Sequence, residues 1–128
     1  MGANMSLAER LKTDVHRGFQ SRPRYFSHGD YVTYFVSQDR CVARRLNSLV
    51  TVYVSAADGS LVGCKVKGIT RLMQTLKAAC FLATDGKVVM GMLFLSAAAV
   101  EEESKKEVLE LSEKFGPAEV PADCQQAA

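Results

Sequence analysis

Apolar and polar positions along the chain fall into two periods, and the switches between them mark the elements. Leu7, Leu11, Val15 and Phe19 recur at roughly helical spacing behind a Ser6–Glu9 capping box, so SLAERLKTDVHRGF predicts an N-terminal helix. The next piece, QSRPRYFSHGD, holds a proline, a glycine and several polar residues; it predicts a connecting loop carrying Arg22 and Arg24. DYVTYFVS, Asp30 to Ser37, is dense in β-branched and aromatic residues and predicts a first strand. A turn at Ser37–Arg40 leads into CVARRL, a shorter second strand. Leu49–Val54 and Ser60–Lys67 make the third and fourth.

The stretch VYVSAADGSLVGCKVKG decides its own register. A two-residue Asp-Gly turn would set Tyr53 opposite Cys64 and put lysines among valines. A three-residue loop, Ala57-Asp58-Gly59, instead pairs Val54 with Val62, Val52 with Cys64 and Val50 with Val66. One face is then wholly apolar and the other carries Thr51, Tyr53, Lys65 and Lys67. A slip of one residue inverts every side chain, so burial selects the second register. Gly59 takes the left-handed position of the bulge, and Tyr53 lies across from Gly63, where its ring can cover bare backbone.

ITRLMQTLKAACFL predicts a helix from Ile69, with Ile69, Leu72, Met73, Leu76, Ala79 and Cys80 on the face that meets the valines. Thr84–Gly86 turns into KVVMGMLFL, whose unbroken apolar run predicts a fifth strand covered on both sides. Ser96 caps a final helix that ends near Phe115, with Gly116 and Pro117 as stop signals and Glu101, Glu102 and Glu103 in its early turns. The expected fold is α+β: one domain over residues 1–116 with a mostly antiparallel sheet of about five strands. An N-terminal helix, a helix between strands four and five, and a C-terminal helix complete it. Residues 117–128 are expected to form a disordered tail.

Length and composition agree with one soluble globular domain. The chain has 128 residues, 48% hydrophobic and 23% charged, with a net charge of +2 too small to argue by itself for a nucleic-acid or membrane partner. The longest nearly apolar run, Val88–Val100, falls short of the about 20 residues that a membrane helix needs. No export signal stands out, and the four cysteines, Cys41, Cys64, Cys80 and Cys124, are too dispersed for a short-spaced disulfide or zinc framework. A cytoplasmic protein with reduced thiols is the expectation. MGANMS also matches a myristoylation pattern at Gly2, although Ser6 already serves the capping box.

Familiar chemistries fit poorly. GCKVKGIT has the glycine spacing of a phosphate loop, but Ile69 stands where the lysine belongs and residues 63–67 read as strand. Cys64 and Cys80 fall on inward faces as small core hydrophobes; Cys41, beside Arg40, is the more accessible thiol and has no histidine near it in sequence. Asp30, Asp39, Asp58 and Asp85 occupy turns, where aspartate bonds its own backbone. His16 and His28 lack catalytic companions. No catalytic residues, metal ligands or cofactor are assigned.

Two surfaces remain. Lys65 and Lys67 share the outer sheet face with Tyr53, Arg71 emerges one turn into the next helix, and Arg40, Arg44 and Arg45 load the second strand, although Arg44 and Arg45 must point to opposite faces. These six cations form a candidate anion or nucleic-acid contact, against the alternative of lysine and arginine protecting a sheet edge. Tyr31, Phe35 and Tyr53 form a candidate aromatic interface, and Ala97, Val100, Val108, Leu111 and Phe115 give the last helix an apolar side. The leading expectation is a small non-enzymatic interaction or regulatory module that self-associates, as a homodimer, through the aromatic face and the C-terminal helix. Three helices covering both sheet faces of a monomer satisfy the same pattern. A nucleic-acid or anion binder is the alternative, and an uncharacterised enzyme the third. The hairpin ending in DGSLVG is similar to hairpins of many small bacterial domains of unknown function, a likeness that names no family and implies no site.

Overall fold

The computed structural model describes residues 21–78, 87–121 and 124. The expected N-terminal helix, the Thr84–Gly86 turn, His16 and Cys80 lie outside these residues. Within them, five short segments pair into one antiparallel sheet: β1 (Arg24–Phe26), β2 (Tyr31–Phe35), β3 (Cys41–Arg45), β4 (Val50–Ser55) and β5 (Leu61–Lys67). Their order across the sheet is β1-β2-β5-β4-β3. The β4–β5 hairpin keeps the register that burial demands, with Val50 opposite Val66, Val52 opposite Cys64 and Tyr53 opposite Gly63. Only its last pair differs. A bulge after Tyr53 sets Val54 opposite Leu61, while on the other side of β5 the carbonyl of Val62 accepts the amide of Val36 at 2.9 Å. Gly59 takes the left-handed backbone of the turn at φ 75°.

The fifth strand is not the expected one. KVVMGMLFL does not enter the sheet; from Met90 the chain is a helix, α2 (Met90–Val100), after α1 (Ile69–Ala78). A short apolar run fits a doubly covered strand and a buried helix equally well, and here composition decides. The β-branched pair Val88 and Val89 stands before the helix, whereas Met, Leu and Ala, good helix formers, fill it. Ser96 is therefore an interior helical residue, not a cap, and its hydroxyl donates to the carbonyl of Leu72 on α1 at 3.1 Å. The missing strand is supplied by β1, from the segment expected to be a loop, so α1 follows the last strand instead of lying between two. The C-terminal helix is two pieces, α3 (Lys105–Glu110) and α4 (Ser112–Phe115), and Glu101, Glu102 and Glu103 lie in the link before them.

Among the described residues, all four helices take one face of the sheet. Val32, Val50, Val52, Cys64 and Val66 meet Ile69, Leu72, Met73 and Leu76 of α1, with Leu93, Phe94, Val108, Leu111 and Phe115 in the same cluster. Residues from Pro117 to Pro121, expected in a free tail, are held here as well. The amides of Met90 and Gly91, two of the orphan donors at the start of α2, reach the carbonyls of Ala118 (2.8 Å) and Gly116 (3.1 Å). Val120 then donates to Val88 at 2.7 Å and is 5% exposed.

Two polar fixtures join the layers. Asp30, in a left-handed conformation at φ 53°, caps α1 across space: its carboxylate accepts the Thr70 amide (3.1 Å) and hydroxyl (3.0 Å) and the Tyr25 hydroxyl (2.8 Å). Asn47, 2% exposed in the β3–β4 turn, accepts the amides of Leu49 and Val50 at 2.8 Å each and donates to the carbonyl of Glu103 at 2.9 Å.

Candidate functional site

With the helices on one face, the other presents a set of side chains fixed by strand alternation. The ladder pairs resolve it into rows across the sheet. One row runs Phe26, Tyr31 and Lys67; the next runs Arg24, Thr33, Lys65, Thr51 and Arg45; the third runs Phe35, Gly63, Tyr53 and Ala43. Aromatic residues thus border a cationic row. The five strands together contain Arg24, Arg44, Arg45, Lys65 and Lys67 and not one aspartate or glutamate.

The rings are seated, not merely exposed. Phe35 and Tyr53 meet at 4.8 Å between centroids, and the Phe35 ring lies across Gly63: a Cβ there would fall 2.5 Å from Phe35 Cδ1. The ring that covers Gly63 is therefore Phe35 from β2, in place of the expected Tyr53, since β2 is the neighbour whose side chain leans over that backbone. Tyr31 rests against Gly29 in the same way. Its two faces are taken by neighbours from opposite sides: Phe26 of β1 stacks at 5.0 Å and the Lys65 ammonium of β5 stands 4.2 Å from the ring centroid. Tyr31 is thus a support, holding Lys65 near the middle of the sheet and Phe26, 41% exposed, at its β1 end. Burial above all raises the Tyr53 hydroxyl from its ordinary pKa, with the nearby Cys41 and Cys64 adding to it, so this phenol is neutral at physiological pH.

The structure brings together some of the expected residues and separates others. Tyr31, Phe35, Tyr53, Arg45, Lys65 and Lys67 share the outer face. Arg44 lies on the opposite side of the exposed edge strand β3, and Arg71 belongs to α1 in the helical layer. Arg40 precedes β3 and borders a shallow cleft with Asp39 and Asp58, so its surroundings carry both signs of charge. The apolar side of the last helices is not available for contacts: Ala97, Val108, Leu111 and Phe115 are buried in the protein's own core, and Val100 packs against it. Arg24 and Phe26 were missed. The alternation in Arg24-Tyr25-Phe26, with its two aromatics, was the available signal, outweighed by the flanking proline and glycine.

Other chemistry is sparse. Cys64 is buried, and desolvation pushes its thiol up to about 12, far from a reactive thiolate. No group of three or more His, Cys, Asp or Glu side chains among the described residues could hold a metal ion. Nor is any helix among them long and apolar enough to cross a membrane. A cleft of about 940 Å³ between β1 and residues 118–121 is lined by Arg22, Tyr25, Tyr34 and Glu119 among others, without a nucleophile–histidine pair. Comparison with family models, with curated proteins and with solved structures found no match, so the outer face is read from its own geometry.

Proposed function

We propose that the protein is a non-enzymatic binding module that works through the outer face of its sheet and takes an anionic partner. The supporting observation is the one-signed charge of the sheet. Every charged residue in the strands is a cation, whereas the helical layer mixes Glu101, Glu102, Glu103, Glu107, Glu110 and Glu113 with Arg71, Lys77, Lys105, Lys106 and Lys114. A net charge of +2 hides this, because it sums the sheet with the mixed charges elsewhere in the chain. Aromatic rings beside the cations give such a face contact area as well as charge.

Self-association through the same face fits less well. A two-fold interface would set two copies of Arg45, Lys65 and Lys67 against each other with no strand carboxylate between them, and like charges directly opposed are destabilising. The test is elution from a heparin matrix in a salt gradient. Lys65→Glu with Lys67→Glu should elute clearly earlier than the wild type. Lys105→Glu with Lys106→Glu, an equal change of net charge on α3, should shift much less. Equal shifts for the two pairs would reduce the reading to bulk charge, and no shift for the first would end it.

A further inference from the structure

We propose that the anionic partner is a single-stranded nucleic acid, with bases stacked on the ring pair Phe35–Tyr53 and on Phe26 and phosphates held along the Lys65 row. This rests on the anion-binding reading of the same face.

Three observations narrow the class of ligand. First, the rings and cations alternate. Tyr31, which carries Phe26 stacked against it, and Phe35 are four residues apart on β2, about 13 Å at the usual strand rise, so the Lys65 row lies between the exposed ring of Phe26 and that of Phe35. A ligand that fills the face must therefore offer flat apolar groups on either side of negative charge. An acidic peptide offers the charge without the flat groups; a polynucleotide offers both, in regular succession. Second, the Phe35–Tyr53 pair is built into the sheet over Gly63, with ring planes 36° apart, so its position is set before any ligand arrives. Preformed rings lose little entropy on binding. Third, a duplex does not fit. Five strands at about 4.8 Å spacing make a surface about 19 Å across, wider than the ~12 Å major groove, and bases inside a duplex cannot reach a ring on a flat face. Lys65, held over Tyr31, is fixed at the middle of the row, and Arg45, whose Nε–H donates to the Asn47 carbonyl at 3.1 Å, is fixed at its β3 end. Lys67 extends the positive charge at the end of β5.

The experiment is fluorescence anisotropy with a labelled single-stranded oligonucleotide of about 16 nucleotides, the upper end of the usual footprint for a small single-strand-binding domain. A duplex of the same sequence and a labelled polyglutamate are measured beside it. The single strand should bind at least about tenfold more tightly than either. Phe35→Leu and Tyr53→Leu should each weaken it by about tenfold, within the range seen when a stacking ring is removed. Lys65→Ala should lower the slope of log K against log salt by about 0.7, one phosphate's share for a single strand. Circular dichroism and an unchanged heparin elution establish that the ring variants are folded, and Tyr53→Phe should retain binding. If the ring variants stay within twofold of wild type while the lysine variants lose binding, the single-strand proposal is overturned although the anion-binding reading stands. Equal affinity for duplex or polyglutamate overturns it likewise. Failure to retain any polyanion, or a dimer in sedimentation that binds none, overturns both.

Discussion

Gly63→Ala tests whether the outer face is built as described, independently of any ligand. An ideal Cβ at this position falls 2.5 and 2.8 Å from Cδ1 and Cε1 of Phe35 and 2.9 Å from the carbonyl oxygen of Tyr34. The ring can swing aside; the carbonyl belongs to the β2–β5 ladder and can yield only by distorting it. Displacing the ring breaks the Phe35–Tyr53 contact, a loss of about 1 kcal/mol. The residual overpacking costs about 1–3 kcal/mol. Replacing a strand glycine by alanine returns about 0.5–1 kcal/mol through the unfolded chain. The net expectation is a destabilisation of about 2 kcal/mol, read as a lowered midpoint in urea unfolding followed by far-ultraviolet circular dichroism.

Phe35→Ala alone removes a half-buried ring and its contact with Tyr53. In the double variant the added methyl meets the Tyr34 carbonyl but no ring. The double variant should therefore be less destabilised than the sum of the singles by about 1 kcal/mol or more. Additivity within about 0.5 kcal/mol would mean that Phe35 does not sit over Gly63, and the ring platform would have to be abandoned.

Three further outcomes follow from the polar fixtures and the thiols. Asp30→Ala removes the cap of α1 and strands the Tyr25 hydroxyl while leaving a left-handed residue without its side-chain bonds; it should cost about 2–4 kcal/mol, with Asp30→Asn in between, and equal stability for all three would refute the capping role. Tyr25 is pushed up to about 12 from 10.0, first by desolvation and then by its hydrogen bond to Asp30. The folded state holds this proton more tightly than the unfolded one. The resulting stabilisation is fully present below pH 10 and lost as pH rises towards 12, so the wild type should lose stability over that window more steeply than Tyr25→Phe. In timed alkylation read by peptide mass spectrometry, Cys41, half-buried on the outer face, should be modified well before Cys64, which should react only on unfolding.

The parts legible in the sequence were those where one face must be buried. In the β4–β5 hairpin, Val50, Val52, Cys64 and Val66 could all be hidden by only one register, and the same alternation placed Tyr53, Lys65 and Lys67 outside. The helical stripe of Ile69, Leu72, Met73 and Leu76 was equally constrained. What failed were segments whose pattern carries no contrast. Met90–Val100 is apolar nearly all round, so periodicity had nothing to report, and length with unbranched composition was the better guide. Arg24–Phe26 is only three residues, too short for alternation to outweigh the neighbouring Pro23 and Gly29. Contacts such as Asp30 to Thr70, or Asn47 to Glu103, join residues far apart in sequence. Asp30 looked locally like a turn former, which it also is.

The candidate site inherits this division. Alternation divides the six cations read from the sequence: Arg44 and Arg45 part company within β3, as the sequence already required, while Arg24, which the sequence did not place there, joins Arg45 in one ladder row from opposite edges of the sheet. The same rows change the standing of the aromatics. Tyr31 looked like an anchor because it is large and outward. With Phe26 on one face and Lys65 on the other, it has no free face for a ligand, and its contribution is to fix where a charge and a second ring are presented. Loss of Tyr31 should then weaken binding through Lys65. In Tyr31→Leu the affinity should fall while the number of phosphates engaged, read from the salt slope, falls with it. Phe35→Leu should leave that slope unchanged, because a ring that only stacks releases no counterion. A Tyr31→Leu variant that lost affinity with an unchanged slope would make Tyr31 a stacking residue after all, and the sandwich of Phe26, Tyr31 and Lys65 would not describe how this face presents its charge.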